Sequence, residues 1–543
     1  MLRSCPTVLL TGSLALAQTI LPPPPVPPGN PTTPDKVLLG KALFWDEQLS
    51  SSRSVACGTC HVPEAGGADP RTATSLHPGA DGLFGTDDDV HGSPGVARHL
   101  ANGQLVASPL FGVQRQVTNR RAPSVVNAAY ATKLFVDGRA DDVFRDPASG
   151  AIVLPSGAAL ENQIAGPPVN TTEMAHLGRT WIEISNELPS LVPLRLATQV
   201  PAALQQFLGN DTYDAVFTRV FGSPGVTPVR IIFAIAAYER SLTSDQSPFD
   251  LWLGGLGTLT ALQSAGLARF QTLCAGCHTD LDPAVLATGP VLDDFRNIGV
   301  RPVAEDPGRF LVTAAAADRG RFRVPGLRNV ALRGSWFHNG SQQTLGQVID
   351  FYARGGDFAD NRDPLVDAIQ GHIFVADSLQ LQALMNALTD PRVANGLPPF
   401  DRPRLWSEGP LAHAEFGLGT AGTGGLPLRA EGLGPAFRGN AAFGVGVDSL
   451  APNLFTFLAL DVAGSATPVP VLGQHVHLAL TPALQILPTG LSRASGAAGF
   501  ATAVFHVPAG AAVAGTWWLQ WIALDPAGPQ SLVTSNALRF IVY

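Results

Sequence analysis

Cysteine is scarce in this chain of 543 residues: Cys5, Cys57, Cys60, Cys274 and Cys277 are all there is. Beyond the N-terminal segment every cysteine lies in one of two short arrays, which excludes a disulfide scaffold. Methionine is scarcer, with only Met1, Met174 and Met385. Positive charge is never bunched. The net charge is −8 and there is no basic run, so the electrostatic footprint of a nucleic-acid binder is missing. No segment has the ~20 uninterrupted apolar residues that a membrane span needs. Glycine (57) and proline (46) are plentiful, which predicts many turns and long loops.

The N-terminus combines Arg3, a short apolar stretch over 7–16 and the small-residue site Ala15-x-Ala17. This predicts a secretory signal over 1–17 and a periplasmic or otherwise exported protein. Residues 18–34, "QTILPPPPVPPGNPTTP", read as a stiff polyproline linker. "DKVLLGKALFWDEQLS" then repeats apolar residues at helical spacing. Residues 62–120 are rich in Gly and Asp and read as loop. A second helix starts near 228, with Thr227 as N-cap and Pro228 at its first position. "TALQSAGLARFQTL" and "SLQLQALMNALTDP" are further helices. "GLGTAGTGGLP" reads as a flexible seam, and residues 405–424 as a linker. Short alternating runs such as "LFTFLALDV" and "WWLQWIALDP" follow. They predict an antiparallel β-sandwich over 425–543.

The two arrays carry the chemistry. "ACGTCH" holds Cys57, Cys60 and His61, and "LCAGCH" holds Cys274, Cys277 and His278. Two thiols three positions apart on a helical turn can add to the vinyl groups of one haem, and the next residue, His, then ligates the iron. Zinc and a redox dithiol are the rivals. Zinc needs two such pairs to converge, and a thioredoxin-like pair needs surrounding strand–helix alternation that is missing. The pattern therefore predicts two covalently bound c-type haems. With so few methionines, the chain is poorly supplied for His/Met ligation at either iron. Met385 reads as helix packing.

The neighbouring segments sharpen the prediction. "LGKALFWDEQLSSSRSVACGTCH", "APSVVNAAYATKLFVDGRA", "LENQIAGPPVNTTEM", "SPFDLWL" and "FRVPGLRNVALRGSWFHNGSQQTLGQVIDFYARGG" resemble the bacterial di-haem cytochrome c peroxidase family, including its MauG branch. The likeness covers about residues 34–400 and stops before the sandwich. It implies two mainly α cytochrome c-like haem domains followed by an all-β sandwich domain. The first, over 35–225, is the peroxidatic domain; the second, over 226–404, stores and relays electrons.

Several site residues follow from the resemblance. Gln163, Pro167 and Glu173 keep the family's pocket spacing. Glu173 is the proton shuttle that peroxide heterolysis needs, Gln163 orients the bound oxygens, and Pro167 limits the space above the iron. Tyr352 lies fourteen residues after His338 of "WFHNG", where the MauG branch has its tyrosine ligand to the second iron. His338 itself reads as structural. The implied partners are hydrogen peroxide and a small redox protein or other electron donor. Peroxide-dependent oxidation of a partner protein and plain electron transfer are the alternatives.

The chain also departs from the pattern. The family's "RNAP" is "RRAP" here, and the aligned loop has no histidine to cap the first iron; His91 and His99 lie upstream. Arg121 replaces the Asn that helps bind an interhaem calcium, and Arg333 and Ser335 replace residues at the carbonyl side of that site. These changes argue against calcium. Val136 stands where a Trp normally lies between the haems, leaving Trp336 as another aromatic route. Asp81, Asp87, Asp88 and Asp89 read as an acidic turn, and His475 and His477 as surface residues of one strand face.

Overall fold

The computed structural model describes residues 21–288, 293–495, 498–510 and 514–543. The predicted signal segment lies outside them.

Two helix pairs organise the first 400 residues. In one, Pro34–Phe44 packs against Pro228–Ser241. Thr33 and Thr227 cap the two N-termini, accepting from the backbone N–H of Lys36 and Arg230. Leu39, Leu43, Ile231 and Ile235 are fully buried where the helices meet, each contributing about 1.5–3 kcal/mol of transfer free energy. The crossing depends on Gly40: a Cβ there would sit 1.8 Å from the Ala234 carbonyl oxygen. In the other pair, Ala261–Leu273 packs against Val375–Ala387. Gly266 plays the same part, with a Cβ 2.1 Å from the Gln380 carbonyl oxygen.

The resemblance between the halves extends to their loops. Asn127 and Asn329 both take left-handed backbone, with φ of 60° and 59°. Each opens a 3-10 turn, Ala128–Tyr130 or Val330–Leu332. Phe135 and Phe337 follow at φ 61° and 67°, a strained region for an aromatic residue. Each sits in a tight loop closed by a bridge, Leu134 to Ala140 or Trp336 to Gln342.

The predicted boundary at 225 cuts across the packing. Pro228–Ser241 buries its apolar face in the same core as Leu39 and Phe44, and Val393, Phe400 and Leu405 return to that core. The second core is built from Phe249 to Leu388. The Pro-rich stretch is likewise no free tether in its described part. Leu21 is buried in the second core, and the Pro22 carbonyl accepts from the Tyr130 hydroxyl. Asn30 is buried and donates to Glu161 at 2.7 Å.

Two sheets face each other in the C-terminal region. One has the order Gln485–Leu491, Phe455–Asp461, Gly515–Leu524, Leu532–Val542, Ala414–Phe416; the other runs Arg493–Ser495, Ala498–Phe505, Phe443–Leu450, Arg429–Leu433. Val445, Val447, Leu458, Leu519, Trp521 and Leu538 fill the space between. The first part of the expected linker is structured: Ala414–Phe416 is an edge strand and Trp406 is fully buried. His477 is buried against Gly417 rather than at the surface, because that edge strand covers it; His475 stays exposed.

The β-region sits on the first core's loops. Leu105 and Val113 share an apolar cluster with Leu433 and Phe500. The Asp448 carboxylate accepts from Val113 N–H at 3.2 Å and Gln114 Nε2 at 3.1 Å. On the connecting segment, Trp406 and Ser407 donate their backbone N–H groups to Glu47.

Candidate functional site

Cys57–Cys60 forms a single helical turn, and Gly58 lets it lie on Trp45: a Cβ there would be 2.2 Å from the indole. Trp45 is fixed in turn by a 3.0 Å hydrogen bond from Nε1 to the Tyr238 hydroxyl. Phe44 lies 6.4 Å from the His61 ring at 46°. The second array repeats this, with Phe270 at 6.4 Å and 44° from His278. Burial holds both imidazoles toward the neutral form, the form that ligates a metal. His278 Nδ1 is buried with no hydrogen-bond partner among the described residues, whereas His61 Nδ1 lies 3.3 Å from the Gly67 carbonyl oxygen, which works against burial. Such second contacts fix a ligand imidazole's orientation.

Of the residues predicted above the first array, Glu173 approaches it. Glu173 is close enough to both Cys57 and Cys60 for its charge to disfavour their thiolates. Asn170 shapes the loop that carries it. Its side chain accepts from the N–H groups of Thr172 and Glu173, and its carbonyl accepts from Met174 and Ala175. Burial pushes the Glu173 carboxyl up, and the Arg139 guanidinium pulls it back. Gln163 lies on the short helix Ala159–Ile164, and Pro167 opens the following turn. Glu161 on that helix is fully buried and salt-bridged to Arg240 at 2.7 Å, which anchors the helix to the core.

Arg139 and Arg71 were not singled out from the sequence. Arg139 stacks 3.5 Å from the Phe135 ring and pairs with Asp137; the "DGR" of a quoted motif was its only signal. Arg71 donates from Nη2 to Cys60 Sγ at 3.4 Å while held by Asp69. Both upstream histidines are hydrogen-bonded to other groups. His99 Nδ1 and Nε2 are hydrogen-bonded to the Ala97 carbonyl and the Ser51 hydroxyl. His91 Nδ1 is bonded to the Thr72 carbonyl, and its backbone N–H donates to Asn339.

A cavity of about 590 Å³ opens beside the second array, lined by Cys274, Cys277, His278, Tyr352, Met385 and Trp336. Burial, then the two thiols, push the Tyr352 hydroxyl far above its usual range. Met385 therefore borders the same space as Tyr352 rather than serving packing alone. Val136 and His338 also line it. His338 stacks on Phe322 at 3.7 Å, and burial lowers it to about 4. The cavity suits a haem. Its volume lies in the ~300–1,000 Å³ range of cofactor sites. Buried donors without a protein acceptor surround it: Trp336 Nε1, Arg333 Nε, and Arg328 Nε and Nη2. Haem propionates are the acceptors such donors match.

The acidic turn behaves as expected. Asp81, Asp88 and Asp89 accept from N–H groups of their own loop.

Paired helical cores each lead into a Cys-x-x-Cys-His turn, and the proteins that the chain is similar to make it an oxidoreductase. Residues 34–258 match the family described as "Di-haem cytochrome c peroxidase". Cytochrome c peroxidase Ccp of Escherichia coli (strain K12) is 31% identical over 334 residues, covering 61% of this chain and 55% of that protein. Methylamine utilization protein MauG of Methylorubrum extorquens is 30% identical over 340 residues, 61% of this chain and 72% of that protein. Cytochrome c551 peroxidase of Nitrosomonas europaea is 30% identical over 336 residues, 61% and 76%. A solved structure of a MauG-like protein associated with microbial copper homeostasis shares the fold. Its TM-score is 0.50 at 24% identity, over 70% of this chain and 96% of that one. The chain belongs to the di-haem cytochrome c peroxidase family. Among the described residues no helix is long and apolar enough to cross a membrane.

Proposed function

We propose that this is an exported peroxidase that reduces hydrogen peroxide to water at the first array, with electrons relayed through the second. Cys57, Cys60 and His61 would hold the first haem, which would supply the redox chemistry when bound, and Cys274, Cys277 and His278 would hold the second. The convergence of Glu173 on the first array carries the reading. Burial raises this carboxyl and Arg139 restrains it, so it is better able than a solvated carboxylate to accept and return a proton. It takes the proton of the inner peroxide oxygen and delivers it to the outer one, which leaves as water. Gln163 orients the oxygens, and Pro167 limits the space beside them. Two further protons and two electrons complete the reduction, the electrons coming from a small redox protein or another donor.

Tyr352 lines the same cavity as His278; as a ligand to the second iron, its phenolate would stabilise the oxidised metal. That feature favours a second reading, peroxide-dependent oxidation of a partner protein. Val136, in the place of an intervening aromatic, weighs against it. Steady-state peroxide consumption with reduced cytochrome, compared between native protein and Glu173→Gln, tests the proposal. A native protein that carries two haems yet leaves peroxide unconsumed would reduce it to an electron carrier.

A further inference from the structure

Arg121 comes from the first lobe and reaches the second. Its Nε donates to the Ser335 carbonyl at 2.9 Å and its Nη1 to the Ala122 carbonyl at 3.0 Å, while its backbone N–H donates to His338 at 2.7 Å. The side chain is buried, with 7% exposure for the residue. Among the described residues no carboxylate forms an ion pair with it. Arg333, equally buried, also finds only main-chain acceptors, the Gly326 and Arg328 carbonyls. Both guanidinium groups line the cavity beside Cys274 and Cys277. Burial, then the charge of Arg333, pull Arg121 down to about 9.

Carbonyl oxygens gathered round a buried positive charge are what a hard metal ion uses. Ca²⁺ takes 6–8 oxygen ligands at about 2.3–2.6 Å. The family's interhaem calcium does not fit here. The Ser335 carbonyl is already taken by Arg121, and two guanidinium charges face the same space. Among the described residues no cluster of three acidic, His or Cys side chains is on hand to offset a dication. An arginine, unlike calcium, presents a planar fork that matches a carboxylate. Arg121 Nη2 has no protein acceptor among the described residues, so it remains for an anion in the cavity.

We propose that the Arg121 guanidinium is a built-in cation that takes the place of the interhaem calcium, tying the two lobes together and answering a carboxylate of the bound haem. The inference rests on the di-haem reading. A covalent cation cannot be chelated, so the junction works without free metal.

The test uses the holoprotein after dialysis against EGTA. Elemental analysis should find well under one calcium per chain at two haems per chain, and neither EGTA nor added calcium should move Tm or the electron paramagnetic resonance spectrum. Arg121→Ala should lower Tm and shift the second haem's reduction midpoint downward, since losing a nearby positive charge favours the oxidised state. Arg121→Lys should restore most of both. Stoichiometric calcium with two haems, or loss of Tm on chelation, overturns the inference and leaves the di-haem reading standing. So does an Arg121→Ala protein with native Tm and midpoint. A chain without haem overturns the reading itself.

Discussion

Glu173→Gln separates chemistry from architecture. The substitution keeps the side chain's shape and removes its ability to exchange a proton. The loop should survive, because Asn170 holds it through backbone N–H groups that the substitution leaves in place. General acid–base assistance contributes 10²–10⁴-fold, about 2.7–5.5 kcal/mol at 1.36 kcal/mol per decade. Peroxide turnover, kcat/KM, should fall by that factor. Stability should move the other way. Burial raises the folded-state pKa of Glu173 above its unfolded value, so the folded state prefers the protonated form. The carboxyl's stabilising effect is therefore greatest at pH below the unfolded pKa and is lost as pH rises through the folded one. A neutral amide escapes that loss, so Tm at pH 7–8 should equal or exceed the native value. Stopped-flow peroxide kinetics and calorimetry on the same preparation check both halves. A variant with native kcat/KM refutes the proton-shuttle role; one with reduced activity and a collapsed Tm refutes the placement of the loop.

Further expected outcomes follow from other parts of the structure. Arg139→Ala removes the charge that pulls Glu173 down, so the pH–rate limb assigned to this carboxyl should move to higher pH; an unmoved limb breaks the pairing. Tyr352→Met should change the second haem's paramagnetic resonance signal, and an identical spectrum would remove tyrosine as its ligand. Gly40→Ala and Gly266→Ala each drive a methyl into a main-chain carbonyl, and overpacking of this kind costs about 1–3 kcal/mol, read as a lower Tm. Asp448→Ala strands the Val113 N–H and should cost about 1–3 kcal/mol. Limited proteolysis over 100–115 should then quicken; an unchanged rate would mean the β-region does not restrain this loop.

The haem-attachment arrays were legible because their chemistry is local, two thiols three positions apart and one imidazole. The helices leading into them were legible from apolar spacing and, at 227–228, from a Thr–Pro start. Glu173, Gln163 and Tyr352 could be named only through family spacing; nothing in their own neighbourhood marks them. Arg139 beside Glu173 and Asp448 on Val113 escaped notice because each contact joins loops whose approach is set by the tertiary fold. Pro228–Ser241 was assigned to the wrong core for the same reason. Its apolar stripe says that it packs, and only Gly40 against Ala234 says on what. The proline-rich stretch misled by composition: it lacks regular structure, yet Leu21 and Asn30 anchor it.

The seat of the β-region has a bearing on how the molecule is made. Leu105 and Val113 leave the ribosome some three hundred residues before Leu433 and Phe500, their apolar partners. During that interval the nascent chain carries an uncovered apolar spot. The newborn enzyme therefore depends on shielding until its final strands arrive.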